Sequence, residues 1–121
     1  MKVVIDASIV IDCFRRGVSV LVEEVEPVMS SVTVAEIYAG KSAQNEGRQR
    51  SLLDKYILGV DVVFPTLKTA KLVGKLRYEY KMSLGDAFVA ALALEMKLPL
   101  ASLDKRAFGK IKGLKIYEFK S

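Results

Sequence analysis

Short unbroken apolar runs alternate along this chain with stretches in which apolar residues recur every three to four positions, as strands alternating with helices require. The β-branched run at 2–5 predicts a buried strand, and a short helix follows at about 9–14. Arg15-Arg16-Gly17 breaks that helix, and VSVLVEEVE reads as a second one. Pro27 introduces a short strand near VMSS; Thr33 opens a helix running to Ala39, with Gly40 as its break. A polar stretch, KSAQNEG, leads into an amphipathic helix at about 48–58, ended by Gly59. VDVVF then reads as a strand stopped by Pro65. The pattern predicts a long helix at 66–81 with Leu67, Ala70, Val73, Leu76 and Tyr80 on its inner face, and an alanine-rich helix at 83–97, apolar nearly all round and therefore central. The tail reads as a strand LPLAS, a basic loop after Asp104 and a last strand KIYEF. The expected fold is α/β: a single domain over 1–121 with a short, mostly parallel central sheet flanked by helices.

Four acids stand where such apolar runs give way to a turn or a helix start: Asp6 after KVVI, Glu36 in VTVAEIYAG, Asp86 in MSLGDAFVAALAL and Asp104 in LPLASLD. In a sheet of strand–helix units, the C-terminal strand ends and the first turns of the following helices share one edge, where open α/β folds bind ligands. Carboxylates far apart in sequence can therefore meet in one site. So crowded, they raise one another's pKa unless a divalent cation neutralises them.

Composition narrows the chemistry. Of 121 residues, 51% are apolar, enough for a core without disulfide staples, and the only cysteine, Cys13, lies in the apolar stretch IVIDCF and reads as a buried, inert thiol. Asp6 interrupts the N-terminal apolar run before a signal sequence could form, and the longest strictly apolar run, 87–94, is too short to span a bilayer. The expected location is the cytoplasm. Histidine is absent, which removes Ser–His and Cys–His triads, HExxH zinc sites and paired-histidine ribonuclease chemistry. Oxygen-only ligation favours Mg²⁺, Mn²⁺ or Ca²⁺, and with this acid set Mg²⁺ or Mn²⁺.

The net charge is +5 although four acids are reserved for one spot. Lys105, Arg106, Lys110, Lys112, Lys115 and Lys120 crowd the C-terminal stretch, Lys68, Lys71 and Lys75 form a stripe at helical spacing, and Arg48 and Arg50 add a short cluster. Basic surface around an acidic pocket suits a polyanion such as RNA, although lysine-rich faces are also simply solvated. Amides are scarce, with Asn45, Gln44 and Gln49 alone, a composition expected of a thermophilic source.

Three of the acids have a plainer reading too. Thr33-x-x-Glu36 and Ser83-x-x-Asp86 both fit a capping box, and Asp104 could cap a helix starting at KRAF. Asp6 is harder to explain as structure, because a carboxylate after a fully apolar strand is partly buried and needs a partner. Ser8 and Ser102 each stand two positions from a proposed ligand, where a hydroxyl can hydrogen-bond a carboxylate. Asp12 reads as a solvated or rim residue, Glu23, Glu24 and Glu26 as a surface run, and Asp54, Asp61 and Glu95 as exposed faces or strand starts.

Asp-x-Ser after the first strand, Glu opening an early helix, the G-D-A-F-V-A-A-L-A helix and a final L-x-S-x-D together resemble the PIN domain over the whole chain, and at this size the chain is similar to VapC-type toxins of toxin–antitoxin pairs. The resemblance implies a Mg²⁺- or Mn²⁺-dependent endoribonuclease, with the family's acidic quartet on Asp6, Glu36, Asp86 and Asp104. Asp6 and Asp86 then hold the metal, and Glu36 and Asp104 complete its shell directly or through water. Water activated by the metal attacks phosphorus in line, needs no ribose 2′-OH, and leaves a 5′-phosphate and a 3′-OH. Ser102 stands where the family often has threonine, which keeps the hydroxyl. The resemblance also implies a homodimer and a small antitoxin; Val18, Val20, Leu21 and Tyr38 offer apolar surface for such contacts. Two other functions fit the same fold: a non-catalytic RNA- or partner-binding PIN domain, and a PIN nuclease of RNA processing without an antitoxin. A phosphoaspartate enzyme is disfavoured because position 8, where DxD needs an acid, is serine.

Overall fold

The computed structural model describes residues 1–18, 24–44 and 47–118, with Ser42 through its backbone alone. The middle of the second expected helix, including Val20, Leu21 and Glu23, lies outside these residues, as do Asn45, Phe119 and Lys120. The chain runs β1 (Lys2–Ile5), α1 (Ala7–Arg16), β2 (Glu26–Ser30), α2 (Ser31–Tyr38), α3 (Lys41–Gln44), α4 (Arg48–Leu58), β3 (Asp61–Val63), α5 (Leu67–Tyr80), α6 (Leu84–Met96), β4 (Leu100–Ala101) and α7 (Lys105–Gly109). The four strands form one sheet in the order β3-β2-β1-β4. Every pairing is parallel, with Val4 opposite both Val28 and Leu100, and Val28 opposite Asp61.

Strand periodicity divides the core in two. Val4 and Val28 face one layer, where the alanines of α6 meet Val73 and Leu76 of α5 and Phe108 of α7. Val3, Ile5 and Met29 face the other, against Ile9, Val10 and Cys13 of α1, Ile37 of α2 and Leu53 of α4. The small side chains of α6 let it lie close to the sheet, with Ala87, Ala90 and Ala91 fully buried.

Several sequence-based expectations shift. Among the described residues of the expected strand KIYEF there is a single parallel bridge, between Leu100 and Ile116, because β4 is only two residues long and offers Leu100, which bonds Lys115 and Tyr117 (2.9 and 2.8 Å). The stretch after Asp104 is the helix α7, not a loop. On α5 the inward residues include Thr69 and Leu72, while Leu67 and Ala70 are exposed. The helix phase is set by a Thr66–Thr69 capping box, and it turns the Thr69 hydroxyl into the α5–α6 seam, where it donates to Glu95 (2.6 Å). Glu95 is therefore half-buried. α1 is longer than expected at both ends and closes on Gly17, whose φ of 70° is the left-handed region that glycine adopts without strain.

Candidate metal and nucleic-acid site

Asp6 follows β1 and occupies the N-cap position of α1, yet its side chain caps nothing. A buried aspartate at an N-cap would normally accept a helix N–H. Here the carboxylate is held from elsewhere: Oδ2 accepts the hydroxyl protons of Ser102 (2.7 Å) and Ser8 (2.8 Å). Each serine is anchored in turn, Ser8 Oγ accepting the Leu103 N–H (3.1 Å) and Ser102 Oγ the Asp104 N–H (3.0 Å). The β1–α1 junction and the turn after β4 are thus tied at one carboxylate, and the Asp6 N–H to Ala101 carbonyl bond (2.9 Å) fixes the backbone beneath it. Two hydroxyl donors thus converge on one carboxylate oxygen, an arrangement that makes strong hydrogen bonds. Among the described residues no donor is recorded on Oδ1.

Asp86 lies in the first turn of α6. Ser83 is the N-cap, and its hydroxyl accepts the Asp86 N–H (3.2 Å), so half of the expected capping arrangement is present. Burial raises the Asp86 pKa, the Asp6 charge raises it further, the Ser83 hydroxyl lowers it, and Asp104 raises it again. Glu36 is not a capping acid, contrary to the Thr33 capping-box reading. α2 is capped three residues earlier, by Ser30, whose hydroxyl accepts the Val32 N–H (3.1 Å), and Thr33 is buried inside the helix. Glu36 as a residue is exposed, but its carboxyl end lies against Gly85 of α6. Its pKa is raised by burial first, then by Asp6 and by Asp86. Asp104 is the N-cap of α7, its Oδ1 accepting the Ala107 N–H (3.0 Å), as its capping reading expects. Its field reaches Asp86.

Asp6, Glu36 and Asp86 are therefore mutually coupled and Asp104 joins through Asp86. Among the described residues, however, no three acidic side chains stand close enough to ligate one ion as a ready-made cluster. Mg²⁺ ordinarily takes one or two carboxylates and keeps several waters, so an all-oxygen set of this looseness fits that ion while it would not fit zinc. Elsewhere, Asp12 pairs with Arg16 at the rim (2.9 Å) and Tyr38 donates to Asp54 (2.5 Å), linking α2 to α4.

The sequence does not announce Gly85 or the Leu103 and Asp104 amides as part of this arrangement. A glycine in the first turn of an otherwise alanine-rich helix was the available signal, since it lowers helix propensity without an evident turn to make.

The PIN domain family matches residues 3–114, and the chain belongs to that family. No curated protein matches it in sequence. Among solved structures, the chain is similar to VapBC2 of Rickettsia felis bound to a DNA fragment from its promoter, at 17% identity and a TM-score of 0.81, covering 99% of this chain and 100% of the other. It is similar to DNA-bound VapBC of Salmonella typhimurium at 19% identity and a TM-score of 0.78, covering 97% of each chain. VapBC-1 of nontypeable Haemophilus influenzae matches at 23% identity and a TM-score of 0.71, covering 98% of each. At these identities the likeness establishes a shared fold. No helix among the described residues is long and apolar enough to cross a membrane.

Proposed function

We propose that the protein is a metal-dependent endoribonuclease and the toxin of a type II toxin–antitoxin pair, acting in the cytoplasm. The observation that carries the reading is the buried Asp6 carboxylate, held through Oδ2 by Ser8 and Ser102 in place of capping α1, and electrostatically coupled to Glu36 and Asp86. Asp6 and Asp86 would hold Mg²⁺ or Mn²⁺, with Glu36 and Asp104 completing the shell directly or through water. The ion, when bound, supplies Lewis acidity and lowers the pKa of water for attack on phosphorus. The chain's own part is to hold the Asp6 carboxylate oriented through its serines, and to present basic surface to the phosphate backbone. A net charge of +5 supports an RNA substrate.

An antitoxin partner is supported by the likeness, over nearly the whole of both chains, to structures of VapBC complexes, and by a groove of about 370 Å³ lined by Ile11, Phe14, Ile37 and Leu53 together with Arg15 and Lys41. Exposed Phe64 and Leu67 (74% and 72%) beside the β3–α5 link are apolar surface that a homodimer would cover.

The test is cleavage of an end-labelled single-stranded RNA by the purified protein, with Mg²⁺ or Mn²⁺ and with EDTA, for wild type, Asp6→Asn and Asp86→Asn. Metal-dependent cleavage giving 5′-phosphate ends, lost in both variants, is expected. Full activity in EDTA would sink the metal mechanism. A binding-only PIN domain, which the open spacing of the carboxylates also suits, would bind the RNA in the presence of metal and leave it intact.

A further inference from the structure

Gly85 is the second residue of α6, directly before Asp86. It is not among the glycines with positive φ, so its backbone is one that any L-residue adopts, and a helix would favour alanine there. A Cβ built on it would stand 2.5 Å from Glu36 Oε2, 3.0 Å from Cδ and 3.1 Å from Oε1. The three nearest atoms beyond its own helical turn thus all belong to one carboxyl group. The missing side chain makes room for that group. Glu36 belongs to α2 and Asp86 to α6, and the notch at Gly85 is where the α2 carboxylate comes to rest against the α6 first turn.

We propose that Gly85 is a positioning residue: it is a notch that seats the Glu36 carboxylate beside Asp86 and so completes the divalent-cation site across the α2–α6 seam. This rests on the acids forming one metal site, as proposed above. A methyl group at position 85 meets the far end of a flexible side chain, not backbone, so Glu36 swings away and the fold stays intact.

The experiment titrates Mn²⁺ by calorimetry into metal-free wild type, Gly85→Ala, Glu36→Ala and the double variant, with the metal-free melting temperature of each. Gly85→Ala is expected to melt at or above wild type and to bind Mn²⁺ on the order of 10-fold more weakly, the usual scale for losing support of a ligand. In the Glu36→Ala background the same substitution should change the affinity no further, because its target is gone. Wild-type Mn²⁺ affinity in Gly85→Ala would overturn the proposal, as would a loss of equal size in both backgrounds. A Gly85→Ala protein that fails to fold both with and without Glu36 would show that the glycine serves the backbone, and would equally overturn it. If Glu36→Ala alone leaves Mn²⁺ binding unchanged, the fault lies with the metal-site reading itself.

Discussion

The Ser102 hydroxyl donates a 2.7 Å hydrogen bond to Asp6 Oδ2 across 96 residues of sequence. It joins the end of β4 to the end of β1, two strands that pair in parallel beneath it. The same hydroxyl accepts the Asp104 N–H, so one side chain both orients a buried carboxylate and shapes the turn carrying a second acid. Ser102→Ala removes the donor and leaves the Asp104 amide without that acceptor. A bond to a charged group contributes about 1.5–3 kcal/mol, so chemical denaturation should show a loss of roughly that size, with Ser102→Thr close to wild type. Unchanged stability in the alanine variant would mean that Ser8 alone suffices to hold Asp6.

Asp104 separates capping from ligation. Its Oδ1 accepts the Ala107 N–H at the start of α7, a role asparagine can fill. Asp104→Asn should therefore keep stability within a few tenths of a kcal/mol, while Asp104→Ala loses about 1 kcal/mol. If Asp104 also serves the metal, both variants should weaken Mn²⁺ binding to a similar degree. An asparagine variant with wild-type Mn²⁺ affinity would leave Asp104 as a cap only.

How much of this was legible beforehand depended on the range of the interaction. Asp6 was identifiable because a charge after KVVI cannot be buried without partners, and Ser8 and Ser102 because their spacing put hydroxyls within reach. The parallel sheet and the central α6 followed from apolar runs and alanine content. On α5 Val73, Leu76 and Tyr80 face inward as expected, but in the first turns Thr69 stands inward where Leu67 and Ala70 are exposed, because its hydroxyl finds Glu95 in the helix seam and a threonine does not mark an apolar stripe. The sequence pattern starts α2 at Thr33, whereas Ser30, at the strand's end, makes the capping bond; two hydroxyls so close in sequence are equal candidates until the strand length is known. The Glu36–Gly85 approach is a contact between elements, and no local pattern encodes it.

Tyr56 offers a stability test remote from the acids. Its hydroxyl is buried with no hydrogen-bond partner among the described residues, and burial, followed by Cys13, pushes its pKa up to about 12. An unsatisfied buried polar group costs about 1–3 kcal/mol, so Tyr56→Phe should raise stability by about 1 kcal/mol at neutral pH. The folded pKa lies above the ordinary value of 10, so the phenol's contribution is intact below pH 10 and is lost as pH rises through about 12. Wild type should accordingly lose more stability than Tyr56→Phe across that alkaline window. Thermal melts at neutral pH and between pH 10 and 12 check both statements; a destabilised phenylalanine variant would show that the hydroxyl has a partner.

The acids themselves should make the metal-free protein sensitive to pH in the opposite range. Glu36 and Asp86 are raised above their ordinary values of 4.5 and 3.8, each first by burial and then by Asp6. A carboxyl whose folded pKa is raised binds protons more readily folded than unfolded. Stability is therefore greatest below the ordinary pKa and falls as pH climbs through the raised one. Metal-free wild type should thus lose stability from about pH 4 toward neutrality relative to Glu36→Gln and Asp86→Asn, and both variants should melt at or above wild type at pH 7. Glu36 is exposed and Asp86 only half-buried, so solvent screening keeps the effect modest. A divalent ion that binds only the folded state reverses the order: at one hundred times Kd it stabilises wild type by about 2.7 kcal/mol, a rise of several degrees for a domain of this size. The variants should lack most of that rise. Melts of wild type and both variants with and without Mn²⁺, at pH 4.5 and pH 7, decide the matter. If both variants keep the full wild-type metal shift, Glu36 and Asp86 are not part of the cation site, and the acids at this edge of the sheet serve the fold.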